Sequence, residues 1–136
     1  MPFALHPTLA RDTVEAARLP LCRVLLMNDR RFPWLILVPE RESLREIHDL
    51  SSADRSMLIE EIAHAGRVLI HLFQPDKLNT GALGNVVPQL HIHVVARFAT
   101  DAAWPGPVWG SGASVTYSEG DLNDLQNRLA EAFNGA

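Results

Sequence analysis

His91 and His93 stand two residues apart in the run QLHIHVV, residues 89–95, and two imidazoles so spaced can act on one ligand. Alternate residues of a strand share a face, so Gln89, His91 and His93 are predicted to line one side, with Leu90, Ile92 and Val94 filling the other. At a rise near 3.3–3.4 Å per residue their Cα atoms are roughly 6.6–7 Å apart. Two rings at that spacing reach one phosphoryl group from different sides. One nitrogen attacks phosphorus and the other binds an oxygen or delivers a proton. Imidazole suits both tasks because its unperturbed pKa is about 6.5. Chemistry alone leaves two other uses of the pattern open. Two neutral imidazoles on one face also begin many metal sites, although neither Cys22, His48 nor any carboxylate stands at a telling spacing for a further ligand. Two satisfied, half-buried histidines with no ligand at all are the third reading.

The elements that must position these rings follow from periodicity. A strand is predicted over residues 21–28, LCRVLLMN, and a second over 34–39, WLILVP, whose unbroken apolar run predicts burial on both faces. The short polar link DRRFP between them argues for an antiparallel pair. A long helix is predicted over 52–73. Ser51 or Ser52 caps it, Asp54 favours its positive end, and Pro75 stops it. Leu58, Ile62, Ala65, Leu69 and Leu72 recur at helical spacing as its buried stripe. His64 and His71 read as solvated residues on another face. Strands over 77–83 and 89–98 flank a loop, GNVVP. A helix over 118–133 closes the chain, after a segment rich in Pro, Gly and Trp. The order of strands, helix, strands, helix predicts an α+β fold with an antiparallel sheet.

Length and composition bound the rest. The chain has 136 residues, 47% hydrophobic and 21% charged, which suits one domain spanning residues 1–136. A net charge of −4 gives no basic footprint for a nucleic-acid backbone, although it leaves small nucleotides open. Cys22 is the single cysteine, so no intrachain disulfide forms. There is no long apolar run and no basic leader. The expectation is a cytoplasmic protein that makes no use of a membrane.

QLHIHVV resembles the motif of the histidine triad (HIT) family, in which three histidines alternate with apolar residues and two more apolar residues follow. The segment LLMNDRRFPWLILVP looks like the family's early hairpin, and LREIHDLSSADRSMLIEEI like its lead into the long helix. LNTGALGNVVPQLHIHVVAR looks like its strand, loop and active-site strand. The match covers residues 21–97 and resembles a bacterial-type member.

The resemblance implies a HIT-like α+β fold, paired as a homodimer, that binds nucleotides and hydrolyses or transfers at the α-phosphorus. It implies that His91 is the nucleophile, forming a covalent nucleotidyl-phosphoramidate, and that His93 contacts phosphate on the leaving side. Asn28 then matches the position that holds the ribose hydroxyls. Asn79 matches the asparagine before the active-site loop, and Gly84 and Asn85 match loop residues near the phosphate. No metal or other cofactor is implied.

Two departures stand out. Gln89 replaces the first histidine of the triad, and Trp34 stands where many members carry another histidine. Related transferases carry a Gln at the last triad position, not the first. Gln89 keeps the backbone carbonyl that can orient the nucleophilic ring, but its side chain cannot carry a proton at pH 7. That side chain is expected to enter the phosphate site beside His91 and His93. A nucleotide-binding module with little turnover is the alternative that this substitution raises. Trp104 and Trp109 are read either as stacking on a base or as packing.

Overall fold

The computed structural model describes residues 2–135. A short helix, α1 (Pro7–Asp12), leads into strand β1 (Thr13–Arg18), followed by β2 (Cys22–Met27) and β3 (Trp34–Pro39). A single 3-10 turn at Ile47–Asp49 precedes the long helix α2 (Ser52–Phe73). Then come β4 (Lys77–Gly81), β5 (Ile92–Arg97) and the C-terminal helix α3 (Glu119–Gly135). The five strands form one antiparallel sheet in the order β1-β2-β3-β5-β4. The α+β architecture with its long and C-terminal helices is therefore as the sequence predicts.

Local chemistry explains most of these boundaries. The Ser51 side chain accepts from the Asp54 amide at 3.1 Å to start α2. Gln74 takes the left-handed conformation that ends it, just before Pro75. β3 is buried along its whole length, as its apolar run requires. α1 and β1 carry no such mark. TVEAAR lacks apolar alternation because β1 is an edge strand with one buried residue, Ala16.

The two faces of the sheet bury separate cores. Val24, Leu26, Leu35, Leu37, Ile92, Val94 and Ala96 pack with Leu58, Ala65, Val68 and Leu69 of α2 and with Leu125, Leu129 and Phe133 of α3. Ile62 and Leu72 flank this core, completing the predicted stripe. On the opposite face Leu25, Trp34, Ile36, Val38 and Val95 pack against Leu9, Phe32, Val87 and Val108. α2 and α3 thus occupy one side, and the short helix α1 with two loop segments covers the other. His64 departs from its predicted solvated setting: its ring lies edge-on to Phe133 at 5.1 Å. Among the described residues, its Nε2 is buried with no hydrogen-bond partner.

Two buried polar groups splice the elements. The Glu61 carboxylate, inside α2, accepts the amides of Leu21 and Cys22 at 2.9 and 2.8 Å and so fixes the entry to β2. Arg97, 1% exposed, forks onto Asp101 at 2.8 and 3.0 Å and donates to Asn79 Oδ1 at 2.7 Å. Asp101 also receives the amides of Phe98, Ala103 and Trp104. The Arg97 hydrogen bonds, joined by these amides, hold its carboxyl well below the usual range.

Candidate active site

β5 ladder pairing begins at Ile92, which pairs with Leu37 of β3. The residues just before it diverge from the sheet. The Leu90 amide donates to the Leu44 carbonyl, and the His91 ring turns back to the Gln89 carbonyl. His93 lies within β5, opposite Ile36 on one side and Gly81 on the other. The two histidines therefore sit at the end of the active strand, each 6% exposed, with ring centroids 4.9 Å apart.

Their hydrogen bonds assign opposite tautomers. His91 Nδ1 lies 2.6 Å from the Gln89 carbonyl oxygen, which can only accept. Nδ1 thus carries the proton and leaves Nε2 with a free lone pair. The Trp34 indole N–H donates to His93 Nδ1 at 3.0 Å. That nitrogen accepts, so the His93 proton lies on Nε2. Burial, with repulsion from His91 added, pushes the His93 imidazolium pKa down to about 4. A protonated ring would also bring two N–H donors face to face at Trp34. Trp34 is thus the residue that fixes His93.

A linked prediction concerns pH. The unfolded chain binds a proton at His93 below about pH 6.5, whereas the folded site refuses it until about pH 4. Stability is therefore lost as pH falls through that window, on the order of 3 kcal/mol in all. Urea midpoints taken at intervals from pH 7.5 to 4.5 should fall less steeply for His93→Asn than for the wild type. Parallel curves would show that His93 does not carry the effect.

A cavity of about 550 Å³ opens over both rings. Three segments wall it: α1, through Thr8, Leu9, Arg11 and Asp12; the loop with Gly84, Asn85, Val86 and Val87; and the C-terminal crossing through Val108, Trp109 and Gly110. Gly84, at φ +77°, makes a turn that other residues adopt only under strain. Trp109 stands edge-on to His93 at 5.4 Å and closes over Gly81, where a methyl group would lie 3.2 Å from the indole. Trp104 stays outside and covers the Arg97 guanidinium at 5.9 Å.

The crossing segment is tied down at Asn28 and Asp29. Asn28 Oδ1 accepts the Tyr117 amide at 2.9 Å, while the residue also lines the cavity. Asp29, 1% exposed, accepts from the Arg31 side chain and backbone and from the Val115 amide. Burial works to raise its carboxyl, but the Arg31 and Val115 hydrogen bonds outweigh it and hold the group below its usual range. Burial, with Asp29 nearby, pushes the Tyr117 phenol up to about 12.

The structure thus brings His91, His93, Asn28, Gly84 and Asn85 to one cavity. Gln89 and Asn79 stand apart from it. The Gln89 amide does not enter the cavity, contrary to the expectation from the sequence, because strand pairing starts only at Ile92 and the alternation of a pleated strand does not reach residue 89. Its side chain turns to the N-terminal segment, bonding His6 and Ala4. The Asn79 side chain is turned to Arg97. Sequence reasoning missed the α1 wall and the Asp29–Val115 tie, which rest on pairings too distant in the chain to show as periodicity. Among the described residues no group of three or more His, Cys, Asp or Glu side chains is placed to hold a metal ion. No helix among them is long and apolar enough to cross a membrane.

Comparison with known proteins agrees with this fold. The HIT domain model matches residues 12–100. A histidine triad protein from Sinorhizobium meliloti is 43% identical, with 96% of each chain covered and a TM-score of 0.92. One from Marinobacter aquaeolei is 41% identical, with 99% of this chain and 98% of that chain covered and a TM-score of 0.95. A diadenosine triphosphate hydrolase from Plasmodium falciparum shares the fold at 14% identity, covering 98% of this chain and 83% of that one, with a TM-score of 0.67. The comparison with curated proteins returned no match.

Proposed function

The chain belongs to the HIT family, and from that premise we propose that it is a hydrolase or nucleotidyl transferase acting at the α-phosphorus of nucleotide conjugates. The observation that carries the proposal is the pair of opposed tautomers at the cavity floor. His91 offers a lone pair on Nε2, and neutral His93 offers a donor on Nε2. The Nε2 lone pair attacks the α-phosphorus. The P–N bond forms as the bond to the leaving group breaks, and the leaving group takes a proton from water. A second water, or another acceptor in a transferase, then attacks the same phosphorus and gives its proton to the hydroxide left by the first, while the P–N bond breaks and its electron pair returns to His91. Nε2–H of His93 hydrogen-bonds the phosphoryl oxygen on the leaving side.

Asn28 spends Oδ1 on Tyr117, which leaves its amide N–H group for a ribose hydroxyl. Gly84 and Asn85 line the cavity from the loop before His91, and in this reading they flank the phosphate. Asn79 has no part here, since it does not line the cavity and its side chain is turned to Arg97. The hydrolase from Plasmodium falciparum supports nucleotide conjugates as the substrate class. Cys22 is buried, with its thiol pushed far above the usual range, first by that burial and then by Glu61. A lone, inert thiol fits a cytoplasmic setting.

The test is a panel of nucleoside phosphoramidates, dinucleoside polyphosphates and nucleotidyl sugars, assayed for release of mononucleotide. Turnover of one class supports the enzyme. Tight nucleotide binding with no turnover across the panel supports a binding module, the reading favoured by the absence of the residue 89 side chain from the cavity.

Assembly belongs to the same proposal. β4 is an edge strand, and unpaired edges invite pairing with a second copy. Light scattering should report a homodimer, about twice the 15.1 kDa chain mass. A monomer at micromolar concentration would contradict this.

A further inference from the structure

Gln89 serves the site twice. Its main-chain carbonyl takes the His91 Nδ1–H at 2.6 Å. Its side chain points elsewhere: Oε1 accepts the His6 amide at 2.8 Å, and Nε2 donates to the Ala4 carbonyl at 2.8 Å. In an extended chain, the carbonyl of one residue and the amide two residues on face the same side. A strand lying alongside would answer them with its own backbone donor and acceptor. The carboxamide carries both groups in one plane and takes that strand's place. An imidazole cannot do so, because its two ring nitrogens point apart. A carboxylate cannot either, because it has no donor for Ala4.

We propose that Gln89 is a positioning residue whose side chain clasps the N-terminal segment and thereby sets α1 as a wall of the cavity. His6 is the link. Its backbone is held by Gln89, and its Nδ1 accepts the Thr8 amide at 3.1 Å as the cap of α1. From that cap the helix presents Thr8, Leu9, Arg11 and Asp12 to the space facing Asn28. Phe3 gives the segment a second hold, its ring under the Arg23 guanidinium at 5.3 Å. The amide at the first triad position thus serves substrate binding through the wall rather than proton transfer at phosphorus. This last step rests on the nucleotide reading above.

The experiment has two arms and uses the full chain. Gln89 is only partly buried, so its loss leaves both cores intact. Amide hydrogen exchange at His6 should quicken about tenfold or more in Gln89→Ala, with α2 unchanged. Gln89→Glu keeps the acceptor and loses the donor, and should fall between. With adenosine 5′-phosphoramidate as the probe, Gln89→Ala should raise KM about tenfold while kcat moves by no more than about twofold. Unchanged exchange at His6 in both variants would overturn the clasp. A fall in kcat at constant KM would place the amide in the chemistry and overturn it equally. If the wild type neither binds nor turns over the probe, the nucleotide reading fails, and exchange at His6 alone decides the clasp.

Discussion

His91→Ala should lower turnover on the best substrate of the panel by about 10³-fold or more, because the variant has no lone pair to form the P–N bond. Nucleotide affinity should change little, since the α1 wall, Asn28 and the crossing segment all remain. The fold should survive as well, because His91 precedes the β5 ladder and pairs with no strand. Acid-quenched wild type, digested and analysed by mass, should carry nucleotide on His91. Label on another residue, or a variant as active as the wild type, would sink the nucleophile assignment.

Arg97→Met should cost about 3–5 kcal/mol of stability, the usual penalty for stranding one member of a buried ion pair. The side chains of Arg97 and Asp101 are 1% and 4% exposed, so water cannot replace the lost partner. Asn79 loses its donor in the same step. The measure is the urea midpoint at constant m-value. Arg97→Met with Asp101→Asn should recover part of the loss, since an amide keeps an acceptor for the local backbone donors without a buried charge. A midpoint within experimental error of wild type would show that the pair is not holding the β5 exit.

The parts of the fold legible in the sequence were those with a period. α2 begins and ends at the predicted residues, because Ser51, Pro75 and a stripe of aliphatics mark it independently. β3 is likewise bounded by the turn before Trp34 and by Pro39. α1 and β1 escaped because a short edge strand half in solvent needs no apolar alternation. At the site, the HxH pair was legible as residue types at a telling spacing, whereas Asn28, Gly84 and Asn85 were singled out only through the resemblance to the HIT family. The direction of the Gln89 side chain was not legible. Alternation holds only while a strand is paired, and nothing local marks Ile92 as the first paired residue. Asn79 is similar: its place in β4 was legible, but its bond to Arg97 arises only when β4 and β5 align.

The walls of the cavity come from opposite ends of the polypeptide, and this sets an order on its assembly during translation. Residues 2–12 emerge from the ribosome before the residue that clasps them, for the Gln89 amide is made some eighty residues later. Asn28 and Asp29 wait longer still, for Val115 and Tyr117. A nascent chain therefore exposes its N-terminal segment through most of its synthesis, in contrast to a domain that folds from its first residues onward. Nucleotide cannot find a walled pocket until the crossing segment has left the exit tunnel. Chains stalled before residue 117 should then carry His91 and His93 under a crossing segment not yet tied to Asn28.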